Sequence, residues 1–159
     1  MRALLQRVER ASVDVDGERI ATIGPGLLVL LGVGGSDDDR TADQLAARVA
    51  ALRIFPDESG RTNRSVVEVD GSALVVSQFT LYADTSRGRR PGFTDAGPPE
   101  LAERLYRRFA DALREAGIAD VEMGRFGTEM RVELVNDGPF TIWLDTESSD
   151  RGRPTVERP

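Results

Sequence analysis

Two short segments hold the residues best suited to chemistry. Ser77-Gln78-Phe79-Thr80-Leu81 sets two hydroxyls and an amide among apolar neighbours. Asn136-Asp137-Gly138-Pro139-Phe140-Thr141 sets a bare Gly-Pro backbone between an amide, a carboxylate and a hydroxyl. Each has the composition of a small polar site set into a sheet. They stand out because the rest of the chain is poor in reactive groups. It has no Cys, no His and no Lys, so all 21 basic residues are Arg. Without His or Cys the usual zinc ligand sets cannot form, and no Ser-His-Asp or Cys-His nucleophile system can be assembled. Without Lys there is no Schiff base, no P-loop lysine and no lysine base. Carboxylates, hydroxyls, amides, Arg and the main chain remain. The reading therefore expects no cofactor and no metal.

What these groups could do is bind and position. Thr80 is a candidate nucleophile, but a Thr hydroxyl needs a base. Strand alternation puts Ser77, Phe79 and Leu81 on one face and Gln78 and Thr80 on the other, which suggests a lined pocket. In the second segment, Asp137-Gly138 between two alternating runs is a hairpin signal. Pro139 follows at once and has no N–H for a ladder. If the Gly138-Pro139 bond is cis, its two carbonyls can point the same way and form an acceptor pair suited to an ammonium group. Gly24-Pro25 and Gly97-Pro98 also occur in the chain, so a Gly-Pro pair alone is a weak signal.

Length and composition fit one soluble domain. The chain has 159 residues, 40% hydrophobic and 30% charged, enough to bury a core. The longest apolar run, Leu27 to Leu31, is far too short to span a bilayer, and the first residues show no signal peptide pattern. A cytoplasmic location is the expectation. A net charge of −6 argues against broad nucleic-acid binding but leaves room for a local basic patch. Two Arg clusters qualify: Arg87, Arg89 and Arg90, and Arg104, Arg107 and Arg108. The ordinary use of such clusters is a solvated surface.

The elements that must position these residues can be read coarsely. Val13 and Val15 alternate with Asp14 and Asp16, Asp16-Gly17 turns, and Arg19 to Ile23 returns. Leu27 to Leu31 reads as a strand buried on both faces. Gly32-Val33-Gly34-Gly35-Ser36 resembles a phosphate loop but lacks its third Gly and any Gly-Lys-Ser/Thr, so a flexible strand-to-helix turn is expected. A helix is expected over Arg40 to Phe55, capped by Thr41 or by an Asp of the 37–39 run. Three adjacent Asp before a helix suit its dipole better than a metal. Pro56 to Arg64 reads as a loop and Ala73 to Tyr82 as the strongest central strand. A second helix is expected over Glu100 to Ala116, with Gly117 ending it. Val121 to Phe126, Met130 to Leu134 and Phe140 to Leu144 read as strands. The polar segment from Thr146 onward reads as a loose tail. These elements give an α+β fold: a mixed or largely antiparallel, barrel-like sheet flanked by two main helices. The expected organisation is one domain over residues 1–146 and a polar, flexible tail over 147–159.

Taken together, the two motifs resemble the signature pair of the D-aminoacyl-tRNA deacylases. The similarity runs from Arg2 to about Asp145, through Gln6-Arg7-Val8, Ala83-Asp84-Thr85, Arg90-Pro91 with Phe93, and Gly124-Arg125-Phe126. Gly92 departs from a usual Ser, Arg61-Thr62-Asn63 from a commoner Lys-Met-Asn, and Met123 from a frequent Thr. The resemblance implies hydrolysis of the ester joining a D-amino acid to the terminal ribose of a tRNA, and clearance of glycine mischarged on tRNA. It implies a homodimer with active sites at the subunit interface, in which Gly138-Pro139 of one copy enters the pocket of the other and rejects L-amino acids. Gly138 and Pro139 are then the selectivity motif and hold the α-amino group. Ser77, Gln78, Phe79 and Thr80 surround the ester, and Arg7 fixes the Gly-Pro turn. Thr80 is either a nucleophile or a positioning group beside a substrate whose own ribose 2′-hydroxyl assists; the lack of His, Lys and Cys favours the second. Arg87, Arg89 and Arg90 are expected to meet the acceptor stem. The competing expectations are a non-catalytic dimeric module that binds amino acids or amines, and an editing protein acting on L-aminoacyl esters.

Overall fold

A computed structural model of the chain describes residues 1–86 and 88–147. Arg87 of the expected tRNA contact, and the expected tail beyond Glu147, lie outside the described residues. The first strand, β1 (Arg2–Val15), is long enough to serve two neighbours along one edge. Its C-terminal half pairs with β2 (Glu18–Ile23) and its N-terminal half with β3 (Gly26–Gly32), both antiparallel. The turn into β2 uses Asp16 and Gly17, both at positive φ. On the other edge β1 pairs with β8 (Arg131–Asp145) along nearly its whole length. β3 continues in parallel to β6 (Ser72–Ser77), and β6 to β7 (Val121–Met123). The sheet curls so that β2 approaches β6 and β7, giving a barrel-like, mixed sheet.

The curl explains why β3 reads as a continuous apolar run. Leu27, Val29 and Leu31 face one core and Leu28 the other. The same alternation holds in β6, where Ala73 and Val75 oppose Leu74 and Val76. The first core lies under the two helices, α1 (Asp39–Ala50) and α2 (Pro99–Glu115). Ala42, Leu45, Ala46 and Val49 of α1 meet it beside Leu105, Phe109 and Leu113 of α2, a 3.6-residue spacing on each helix. The second core fills the curl with Val8, Val13, Val15 and Ile23. A short hairpin, β4 (Phe55–Pro56) with β5 (Thr62–Arg64), occupies the stretch expected to be a loop.

The acidic run before α1 divides its work. Asp38 caps the helix, its carboxylate accepting from the Thr41 amide at 2.8 Å and from the Thr41 hydroxyl. Those bonds hold the Asp38 carboxyl below its ordinary pKa. Asp39 pairs with Arg104 across the helix interface, while Asp37 turns inward to the Met1 ammonium at 2.6 Å and the Gly34 amide at 2.6 Å. Arg107 and Arg108 likewise pair with Glu103, Asp43 and Glu115, so this Arg cluster is a laced helix surface.

Several expectations require correction. The first helix stops at Ala50 rather than Phe55, which is extended in β4 before Pro56, and Pro56 to Arg64 holds the β4–β5 hairpin rather than a loop. The other two concern the motifs. Ala73 to Tyr82 is not one strand. β6 ends at Ser77 and a 3-10 turn follows over Phe79–Tyr82. The Gln78 amide still pairs with the Leu31 carbonyl, after which Leu81 N–H bonds back to Gln78 and Ala83 N–H to Thr80. Two-residue alternation therefore stops at Gln78. Nor is the Asn136–Thr141 segment a hairpin. It lies inside β8, where Val8 pairs with Asn136 and Gln6 with Thr141. Two steps along β1 thus match five along β8, and the surplus residues form a bulge that carries Gly138 and Pro139. β8 stays paired with β1 on both sides of them, so the chain needs no reversal.

Candidate functional site

A cleft of about 820 Å³ opens where β6 gives way to the 3-10 turn. Ser77, Gln78 and Phe79 form one wall. Pro98, Pro99, Ala102 and Tyr106 at the start of α2 form another, and Phe126 to Met130 with Val132 a third. Each wall has a local reason for its place. Pro99 sits in the first turn of α2, where a missing N–H costs nothing. The Gly97 amide bonds to the Val33 carbonyl at 2.8 Å, tying the loop before α2 to the end of β3. Phe93 meets Phe79 edge to face at 4.9 Å and closes the mouth. Both rings are exposed, Phe79 by 58%.

The lining is apolar except at a few points. The Tyr106 hydroxyl lies 2.8 Å from the Val75 carbonyl and 3.0 Å from that of Gly124. Burial pushes its pKa up, so it remains a neutral donor that fixes the wall. Among the described residues Glu129 is the one carboxylate in the lining. Thr80 is exposed and lies outside the lining, but its hydroxyl is hydrogen-bonded to the Gln78 amide. Such a cleft, largely apolar with a few polar groups, suits a ligand with one polar reacting centre and an apolar part.

The second motif is elsewhere on the same chain. Gly138-Pro139 is cis, both residues are exposed, and neither lines this cleft. The bulge is held from behind. Arg7, only 8% exposed, directs Nε to the Asp137 carbonyl at 3.1 Å and to the Asp137 carboxylate at 2.8 Å. Its guanidinium also donates to the Ile54 carbonyl and lies 4.3 Å from the centre of the Phe140 ring. Asn136 donates to the carbonyls of Arg7 at 2.8 Å and of Phe140 at 3.3 Å, stapling the two ends of the bulge. A Cβ on Gly138 would touch nothing closer than the Asn136 amide oxygen at 3.4 Å. The chain's own packing therefore does not require Gly at 138.

A family model described as D-Tyr-tRNA(Tyr) deacylase matches residues 4–145. The chain belongs to the D-Tyr-tRNA(Tyr) deacylase family. A D-aminoacyl-tRNA deacylase of Symbiobacterium thermophilum is 58% identical over 149 residues, covering 94% of this chain and 98% of that protein. One from Dinoroseobacter shibae is 61% identical over 145 residues, covering 91% of this chain and 99% of its own. A solved structure described as a c-Myc DNA Unwinding Element Binding Protein is 41% identical, with a TM-score of 0.87 over 92% of this chain and 99% of that one. The fold of this deacylase-family member is thus shared along its length.

Of the residues singled out in the sequence, Ser77, Gln78 and Phe79 line the cleft, and Thr80 stands outside it, bonded to the Gln78 amide. Arg7, Gly138 and Pro139 come together at the bulge. Arg89 and Arg90 are exposed on the loop closed by the Asp84–Gly92 bridge. Sequence reasoning missed the third wall, the Asn136 staple and the use of Gly32 and Gly34. Gly32 and Gly34, expected in a flexible strand-to-helix turn, are closely packed: a Cβ at Gly34 would lie 2.7 Å from the Tyr82 hydroxyl, and one at Gly32 3.1 Å from the Gln78 carbonyl. They make room for the 3-10 turn. The only sequence signal was the bare pair itself, directly after a buried strand.

Proposed function

We propose that this protein hydrolyses the ester between a D-amino acid and the terminal ribose of a tRNA, and clears glycine from mischarged tRNA by the same route. The observation that carries the reading is the separation of the two motifs. The cleft at Ser77, Gln78 and Phe79 lacks Gly138-Pro139, while that pair projects, exposed, from a bulge whose own chain leaves it room for a side chain. A homodimer reconciles these facts, with the bulge of one copy completing the cleft of the other. The Gly138 and Pro139 carbonyls then hold the substrate ammonium, and main chain stands where an L-side chain would go. Rejection by clash admits D-amino acids of many sizes, and glycine with them.

The chemistry asked of the side chains is modest. An aminoacyl ester is already reactive, so orientation and stabilisation of the developing oxyanion carry the rate. Backbone N–H groups around Phe79 and Thr80 face the ester carbonyl, and the Gln78–Thr80 hydrogen bond fixes this end of the cleft. The ribose 2′-hydroxyl of the substrate assists the attacking water, since the chain has no His, Lys or Cys to do so. Arg89 and Arg90, with Arg87, approach the acceptor stem. The setting is the cytoplasm, where tRNA is charged.

The test is release of amino acid from D-Tyr-tRNA, Gly-tRNA and L-Tyr-tRNA by the purified protein with EDTA present. The reading expects the first two to be hydrolysed and the third spared. A D-aminoacyl-tRNA ending in 2′-deoxyadenosine should be turned over far more slowly. Binding of D-tyrosine without turnover of any ester would replace the reading with an amino-acid-binding module.

A further inference from the structure

The 3-10 turn over Phe79–Tyr82 is a single short segment whose flanking bonds run from Leu81 N–H to the Gln78 carbonyl at 3.2 Å and from Ala83 N–H to the Thr80 carbonyl at 3.0 Å. Hydrogen-bond geometry is poorer in a 3-10 than in an α-helix, so contacts from outside the turn help to fix it. Arg2, at the start of β1, donates from Nη1 to the Leu81 carbonyl at 3.0 Å. Its guanidinium lies 4.2 Å from the centre of the Tyr82 ring, and its Nε pairs with Asp145 at the end of β8 at 3.2 Å. On the other side, Tyr82 is buried against the space left by Gly32 and Gly34, its hydroxyl 3.5 Å from the Asp37 carboxylate. The turn is thus gripped at its C-terminal end by one fork of donors anchored in two strands.

Neither Arg2 nor Tyr82 lines the cleft, whereas Gln78 and Phe79 at the other end of the turn do. We infer that Arg2 is a positioning residue for the reaction: it sets the turn that presents Phe79, Thr80 and their amides to the ester. A planar guanidinium suits this use because it can stack on a ring while donating in its own plane, which an ammonium cannot do. The ion pair with Asp145 is largely buried, with side chains 24% and 12% accessible, and it anchors the guanidinium to the end of β8. The expected effect of Arg2 is local to the turn.

This inference rests on the deacylase reading for its kinetic readout and on hydrogen exchange for an independent one. The variants are Arg2→Met, which keeps a stem over Tyr82 and loses the donors, and Arg2→Lys, which keeps the charge and one donor. For Arg2→Met on D-Tyr-tRNA, kcat is expected to fall about tenfold with KM changed less than about twofold, since only the placement of reacting groups is lost. Arg2→Lys should recover part of that loss. The Leu81 and Ala83 amides should exchange about tenfold faster in Arg2→Met while α2 amides keep their protection. Unchanged kcat and unchanged exchange at these two amides would overturn the inference. So would faster exchange throughout the core, which would make Arg2 a general structural residue. If the wild-type protein hydrolyses no D-aminoacyl ester, the deacylase reading fails, and the exchange result alone decides whether Arg2 holds the turn.

Discussion

Thr80 sits where a nucleophile would be sought, yet its surroundings suit an orienting group. Its hydroxyl is bonded to the Gln78 amide, and the chain supplies no His, Lys or Cys to take its proton. Thr80→Val keeps the shape and removes the hydroxyl. Steady-state deacylation of D-Tyr-tRNA by this variant should stay within about tenfold of wild type, whereas loss of a true nucleophile costs far more, on the order of 10⁴-fold or beyond. A collapse of that size would assign Thr80 the attack. The residue scale was also where the sequence spoke most clearly. Absent residue types excluded whole mechanisms, and the two motifs marked the cleft and the bulge. The roles of Arg2 and Asn136 were illegible because key partners, Leu81 and Asp145 for one and Arg7 for the other, are distant in the chain and meet only through strand register.

Elements were legible wherever local periodicity governed them. Both helices, β3 and the β1–β2 turn follow from apolar spacing and from Asp16-Gly17. The first helix was read five residues too long and the β4–β5 hairpin was missed; the other failures fell at the motifs, where tertiary contacts override local pattern. β6 stops at Ser77 because Gly32 and Gly34 admit a turn there, and β8 runs straight through Gly138-Pro139 because β1 lies alongside to absorb the bulge. Close approach of backbones sets another element-scale limit. A Cβ on Gly26 would lie 2.0 Å from the Ser72 carbonyl oxygen, at the first pair of the parallel β3–β6 ladder. Gly26→Ala cannot be accommodated without breaking that pairing. It should destabilise the protein by about 3 kcal/mol or more in urea unfolding; a loss below about 1 kcal/mol would show that the strands can part there cheaply.

The whole molecule carries a net charge of −6 and is read as meeting a polyanion, so the encounter must be local. Reversing Arg89 and Arg90 to Glu together should raise KM for D-Tyr-tRNA and flatten its dependence on salt, because fewer counterions are released on binding. An unchanged slope would mean that the loop is merely solvated. Acid behaviour is set by carboxylates. Asp14, Asp38, Asp57, Glu68 and Asp84 all have pKa values lowered, led by hydrogen bonds to Arg19, Thr41, Ser59, Ser65 and Ser86 respectively. A group depressed in the folded state stabilises above its unfolded pKa and loses that contribution as pH falls through the folded value. Stability should therefore decline below about pH 4, as thermal melts across pH 2.5–6 would read; a decline already complete by pH 6 would point to other groups.

The claim that two copies build one chirality-reading site is tested most directly by subunit mixing. Gly138→Val leaves the bulge room in its own chain but bars it from the other copy's cleft, and Ala102→Phe fills the cleft from α2. Each homodimer should be inactive on D-Tyr-tRNA. Unfolded and refolded together in equal amounts, they should regain roughly a quarter of wild-type activity, since half the dimers then carry one intact site composed of both chains, and L-Tyr-tRNA should remain spared. Activity in either variant alone, or none in the mixture, would contradict a site shared between subunits.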